Sequence, residues 1–174
     1  FDAVVNGKLD PDFNLESLNK ISGTVKLISN DLSKEYSILV IKDYKYVKVS
    51  TFDRQELIVR EMKDKSTSLT IPDESIVSVT STDGENVELS DIAADSYLAV
   101  AASKDMKLVS IVILNNTVDG KISSYDDEKI VINSTNYQIT PYFREKYLID
   151  LKGGVQGSYV LGLFGDIVAV TDVD

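Results

Sequence analysis

The feature that most constrains this chain is a recurrence of short runs of Val, Ile, Tyr and Thr, each bounded by Asp, Asn, Gly or Ser. They fall at 23–29, 36–41, 46–50, 56–62, 68–71 and 76–80, then at 86–89, 97–102, 107–114, 117–123, 129–132, 137–140, 158–163 and 166–171. β-Branched and aromatic side chains suit a pleated, half-buried surface, and the polar residues between runs supply turns. Strands at such close spacing predict barrels or sandwiches rather than amphipathic helices.

Turn chemistry adds detail. Thr82-Asp83-Gly84 and Gly165-Asp166 carry the Gly that tight hairpins favour, Asp119-Gly120 sits beside strands in the same way, and Asn133-Ser134-Thr135-Asn136 separates two short runs. Helix is confined to single turns: Asp12 or Asn14 is placed to cap one through 15–20, and Ser90 one at 91–94. Residues 53–62 contain good helix formers but lie between strand-like runs and are assigned to strand.

An internal echo bears on domain count. Asp91-Ile92, Ser96-Tyr97-Leu98-Ala99-Val100, Asp105 and 109–113 recur in order as Asp150-Leu151, Ser158-Tyr159-Val160-Leu161-Gly162-Leu163, Asp166 and 168–170, with a glycine-rich insertion in the second copy. A second echo links Gly23-Thr24-Val25, 38–41 and Tyr46-Val47 with Gly120-Lys121-Ile122, 130–132 and Tyr137-Gln138-Ile139. Short alternating strands also resemble one another by composition alone, so coincidence is the competing explanation. The expectation is an all-β fold: two small barrel-like lobes, OB- or SH3-like, in tandem with one or two short helical turns. Residues 1–20 form an N-terminal segment or linker, 21–116 the first lobe and 117–174 a smaller second lobe, with the break near Asn115-Asn116-Thr117. A lobe of that size is marginal alone and is expected to lean on its neighbour.

The chain has no Cys, no His and no Trp. Without the first two there is no thiolate nucleophile, Ser-His relay, imidazole proton shuttle or zinc site of the common type. No residue is therefore nominated as catalytic. A net charge of -10 would repel a phosphate backbone, so nucleic acid is not an expected partner. The longest apolar run, 108–114, is interrupted by Ser110 and falls far short of the roughly 20 residues a helix needs to span a bilayer. Membrane insertion is not expected, and the opening Phe1 reads as a processed chain or an excised segment.

Several ordered fragments together resemble modules found beside S-layer homology domains in cell-surface proteins of spore-forming Gram-positive bacteria. They are Tyr36-Ser37-Ile38-Leu39-Val40-Ile41-Lys42-Asp43-Tyr44, Val87-Glu88-Leu89-Ser90-Asp91-Ile92 and Ser96-Tyr97-Leu98-Ala99-Val100-Ala101-Ala102-Ser103-Lys104-Asp105. Val118-Asp119-Gly120-Lys121-Ile122, Ile130-Val131-Ile132-Asn133 with Tyr137, and Gly165-Asp166-Ile167-Val168-Ala169-Val170 complete the set. The resemblance implies an extracellular, wall- or surface-layer-associated protein in which this segment is a spacer or assembly module. Its implied partners are other domains of the same protein and further copies of itself. The S-layer homology repeats that would anchor such a protein do not occur in these residues.

The competing class is a binding module for cell-wall polysaccharide or calcium, with a virion or appendage structural protein as a further structural variant. No cofactor is expected beyond a calcium candidate at Asp10, Asp12, Asn14 and Glu16, where oxygen-bearing side chains alternate as in calcium loops. An EF-hand is excluded because its obligatory Gly and bidentate Glu positions hold Leu15 and Ile21. Asp126-Asp127-Glu128 reads as a solvated hairpin tip, and no feature selects a carboxylate pair for glycoside hydrolysis. Among the nine Tyr, a sugar platform competes with ordinary strand packing, the expectation for Tyr46, Tyr97, Tyr137 and Tyr159. The glycine-rich 152–158 lacks the Gly-Lys-Ser/Thr ending of a phosphate loop, and Asn115 and Asn133 head N-glycosylation patterns.

Overall fold

A computed structural model of the chain describes residues 1–29, 36–53, 58–60 and 69–173. It opens with β1 (Asp2–Val5) and β2 (Lys8–Leu9). Asn6 and Gly7, at φ 50° and 87°, make the two-residue turn between them, a backbone shape that Asn-Gly adopts at little steric cost. A 3₁₀ helix, Leu15–Lys20, is capped by the Asn14 side chain as expected. Then come β3 (Gly23–Ile28), β4 (Ile38–Asp43), β5 (Lys45–Lys48), β6 (Thr51–Asp53), β7 (Ile58–Arg60), β8 (Leu69–Thr70) and β9 (Ile76–Ser81). A 3₁₀ turn at Leu89–Asp91 leads to β10 (Tyr97–Ala102) and β11 (Leu108–Leu114). The remainder is β12 (Thr117–Tyr125), β13 (Lys129–Ile132), β14 (Thr135–Gln138), α1 (Pro141–Lys146), a 3₁₀ turn at Leu148–Asp150, β15 (Gln156–Leu161) and β16 (Ile167–Thr171). The protein is predominantly β, as the alternation predicts.

Contacts group the chain into two compact units, 1–80 with 86–112, and 81–85 with 113–174. In the first unit β2-β1-β4-β3 form one sheet, β10 joins β5 to β11 in a second, and β6-β7-β8 make a third. Residues 1–20, read from sequence as a segment or linker, contribute directly to this unit. β1 runs parallel to β4 in register from Asp2↔Ile38 to Val5↔Ile41. Ala3 is buried with Leu39 and Ile41, while Val5, Phe13, Leu18 and Ile21 pack against them. Asn6 ties the turn down: its amide N–H donates to Ile41 O (2.9 Å), its Oδ1 accepts from Asp43 N (2.9 Å) and its Nδ2 donates to Ala102 O (2.8 Å).

In the second unit the strand order is β14-β13-β12-β15-β16. All its ladders are antiparallel, and an isolated parallel bridge, Ile139↔Ile167, joins the two flanks. That single bridge replaces the continuous ladder of a fully closed barrel. Ile122, Ile130, Ile132, Ile139, Phe143, Leu151, Tyr159 and Ile167 form the core. Phe143 enters it from α1, whose N-terminus is set by Thr140: the hydroxyl accepts from Phe143 N (3.0 Å) and donates to Ile167 O (3.0 Å).

Some expectations shift. The run at 86–89 is not a strand. Asn86 makes one bridge to Thr80, and the helical turn begins at Leu89 with Glu88 and Asp91 in a reciprocal capping box, displacing the expected Ser90 cap. Asp119-Gly120 lies inside β12, within the run 117–123 expected as strand. The strand expected at 56–62 is described only at Ile58–Arg60, the rest lying outside the described residues.

The first echo does carry matching local structure. Each copy has a 3₁₀ turn, a buried residue just after it (Ile92, Leu151), a strand, a four-residue turn and a second strand. In the turns Met106 N donates to Ser103 O and Gly165 N to Gly162 O, with Met106 and Gly165 both at positive φ. The second echo extends to pairing in part: β3 with β4 and β12 with β13 are both antiparallel, with Val25↔Ile41 matched by Ile122↔Ile132, but β5 pairs with β10 whereas β14 pairs with β13.

Candidate functional site

The four oxygen ligands nominated for calcium are placed as follows. Asp10 Oδ1 accepts from Asp12 N (3.2 Å) and Asn14 Oδ1 from Glu16 N (2.9 Å), so two of them serve the backbone of their own turn. Asp10 and Asp12 approach Lys104 Nζ at 4.0 and 3.8 Å, and Lys8 pairs with Asp105 nearby. These groups line a shallow groove of about 340 Å³ with Val5 and Leu9. Exposed pairs of this kind contribute little to stability, about 0–1 kcal/mol each. Among the described residues no three acidic side chains converge on one point.

The other titratable groups have structural surroundings. Asp126 Oδ1 accepts from Glu128 N and Lys129 N (both 2.8 Å), and these bonds hold its carboxyl below the usual range. Burial pushes Asp166 above it, against the opposing pull of its own and Phe164's N–H, and its Oδ1 has no hydrogen-bond partner. Tyr46, Tyr97 and Tyr159 are buried and Tyr137 is packed against a core, as expected of strand aromatics. In the glycine-rich segment Gly154 (φ 87°) donates to Ile122 O and leads into β15, a turn rather than an anion cradle. The Asn133 side chain is engaged across β12, donating to Asp119 O (2.8 Å) and accepting from Lys121 N (3.2 Å), whereas Asn115 is exposed and accepts from the Thr82 hydroxyl.

The sheet margins are less uniform. β2 spans two residues and is followed at once by Pro11 after Asp10, and β5 begins and ends on Lys. The outer side of β9 is met by Val87 N, which donates to Val79 O, and by the Asn86 bridge. β14 and β16 are linked through Ile139 and Ile167. These are the devices that blunt an edge against pairing with another chain.

β3 has fewer of them. It is six residues long and pairs with β4 without a register shift from Gly23↔Asp43 to Ile28↔Ile38. Its opposite margin has no partner strand among the described residues. Val25 and Leu27 share the face of Ile41 and Leu39, which are buried, yet they are 42% and 48% exposed. Lys26 is the only charge in the strand. A long, flat, apolar edge is a template for strand addition. The alternation had marked 23–29 as a strand but carried no sign that it would be a sheet margin, because neighbour order is not local information.

No helix among the described residues is long and apolar enough to cross a membrane. Comparison with protein-family models, with curated proteins and with solved structures found no match.

Proposed function

We propose that the chain is a non-catalytic structural module of a bacterial cell-surface assembly of surface-layer type, joined to other domains of its parent protein and associating through sheet edges. The observation that carries this reading is the β3 margin, which has no partner strand among the described residues, set against the two-residue β2, the Lys-ended β5 and the margin of β9 met by Val87. A side-chain inventory without imidazole or thiol supports the non-catalytic part.

The second unit is further read as an OB-like barrel. Three meandering strands, a helix and two more strands, in the order β14-β13-β12-β15-β16 with a parallel contact between third and fifth, fit a five-stranded, partly open barrel of that kind. This favours one competing reading, since such barrels bind oligosaccharides on an outer face. Against it, Tyr159 of this unit is withdrawn into the interior and the Tyr125 hydroxyl is committed to Leu151 O.

Thermal melts separate the two. A ligand that binds only the folded state raises the melting temperature with its occupancy. The scaffold reading predicts no rise with calcium or with cell-wall polysaccharide fragments, together with a sedimenting mass that grows with protein concentration. A saturable rise in a chain that stays monomeric would replace scaffolding by ligand binding, and a calcium rise lost in Asp10→Asn would place that site at the nominated turn.

A further inference from the structure

We propose that Asn6 is a self-modification site restrained by the fold, a latch whose deamidation irreversibly releases the N-terminal hairpin from its unit.

The chemistry follows from two adjacent residues. Asn6-Gly7 is the one Asn-Gly pair in the chain. With no Cβ to crowd the approach, a glycine backbone nitrogen can attack Cγ of the asparagine before it. A bond forms between Gly7 N and Asn6 Cγ, and the Cγ–Nδ2 bond breaks. The glycine N–H proton leaves with the side-chain nitrogen as ammonia, and a succinimide remains. Water then opens that ring at either carbonyl, leaving aspartate or isoaspartate at position 6. Nothing else is consumed.

The folded chain withholds each part of this reaction. Positive φ at both Asn6 (50°) and Gly7 (87°) marks a mirror-image hairpin turn, in which the Gly7 nitrogen is swung away from the Asn6 side chain. Ring closure needs it swung back. The side-chain amide is also occupied at both ends, Oδ1 accepting from Asp43 N in β4 and Nδ2 donating to Ala102 O in β10. Asn6 N donates to Ile41 O, and Gly7 lies close enough to Leu108 that an added Cβ would meet its Cδ1 at 3.1 Å. Attack therefore waits on the hairpin lifting from β4 and β10, a local opening rather than global unfolding.

The product does not close the latch again. Aspartate at position 6 has no side-chain N–H for Ala102 O and sets a carboxylate oxygen against that carbonyl, two acceptors facing each other. Isoaspartate adds a methylene to the main chain of a two-residue turn, which the Val5↔Lys8 register does not accommodate. What comes away is β1 with β2, and with them Ala3, buried against Leu39 and Ile41. The device runs one way, at a rate set by the time the hairpin spends open.

Peptide mass mapping of the full chain, incubated at mildly alkaline pH with and without urea, reads conversion at Asn6. The reaction is expected to run roughly tenfold faster in urea than in the native chain. Leu39→Ala hollows the packing against Ala3 without touching the turn, and is expected to speed the native reaction several-fold while leaving the urea rate unchanged. Equal native and urea rates, or a native rate indifferent to Leu39→Ala, would overturn the restraint. Should Leu39→Ala not fold, Ile41→Val supplies the same comparison. Converted chain, separated from unconverted by ion exchange, is expected to exchange its amides at 2–5 several-fold faster, with β12 and β15 unchanged. Unaltered exchange at 2–5, or a rise shared equally by β12 and β15, would refute a local latch.

Discussion

Gly120 and Asn133 offer the sharpest test of the packing in the second unit. Gly120 is buried in β12 opposite Gly157, and a Cβ added there would lie 2.4 Å from Asn133 Nδ2 and 2.6 Å from its Cγ and Oδ1. These atoms are not free to retreat. Nδ2 donates to Asp119 O and Oδ1 accepts from Lys121 N, so the amide straddles Gly120, while Asn133 holds the positive φ of 49° that its hairpin turn requires. Gly120→Ala must therefore break both bonds, at about 1 kcal/mol each. Loss of glycine's unfolded-state freedom offsets roughly 0.4–1 kcal/mol, leaving a net destabilisation of about 1–1.5 kcal/mol. For a unit of this size that is a fall in melting temperature of roughly 4–12 °C.

Asn133→Gly keeps the turn and removes the obstruction along with the same two bonds. In that background Gly120→Ala is expected to be neutral or to stabilise by a few tenths of a kcal/mol. The two changes are then strongly non-additive, with a coupling of about 1–2 kcal/mol in a double-mutant cycle followed by denaturant unfolding. Equal effects of Gly120→Ala in both backgrounds would refute the interlock.

Asp166 has a folded-state pKa raised by burial, so its ionisation opposes folding: the native protein is favoured below the ordinary value of 3.8 and loses that advantage as pH rises through the folded value. Asp166→Asn is expected to raise the melting temperature at neutral pH, with the gain fading in acid. Asp126 carries the opposite sign, being lowered first by its bond from Glu128 N and next by that from Lys129 N; its contribution is present above 3.8 and lost as pH falls. Asp126→Ala should lower stability at neutral pH and flatten the acid limb of the stability profile. Thr140→Ala removes both the cap of α1 and a buried bond to Ile167 O and should cost about 1–2 kcal/mol, while Thr140→Ser retains most of it; equal losses in denaturant melts would refute the capping role.

Much of the fold was legible because a strand's side chains alternate. The run 129–132 read as a strand, and in the fold its alternate residues Ile130 and Ile132 are both fully buried. Two further local signals lie outside the alternating runs. Asn6-Gly7 is a strong hairpin turn, flanked only by the short runs 4–5 and 8–9, and Thr140-Pro141 is a cap followed by the proline favoured at a first helical position. The parallel placement of β1 beside β4 depends on non-local packing and left no local trace. For the candidate site, alternating oxygens in 10–16 were legible as a calcium candidate, whereas their local bonds were only partly so: Asn14 caps the 15–20 turn and Asp10 accepts from Asp12 N, because short polar side chains bond nearby amides. The β3 edge stayed hidden because being a margin is a property of the sheet, not of the strand.

Amide hydrogen exchange of the unaltered chain, followed at low and at high protein concentration, examines assembly through an open sheet margin most directly. Peptides covering 23–28 should slow as concentration rises, while those covering 8–9 keep their rate. Exchange in 23–28 that is indifferent to concentration, or slowing confined to another strand, would contradict the account.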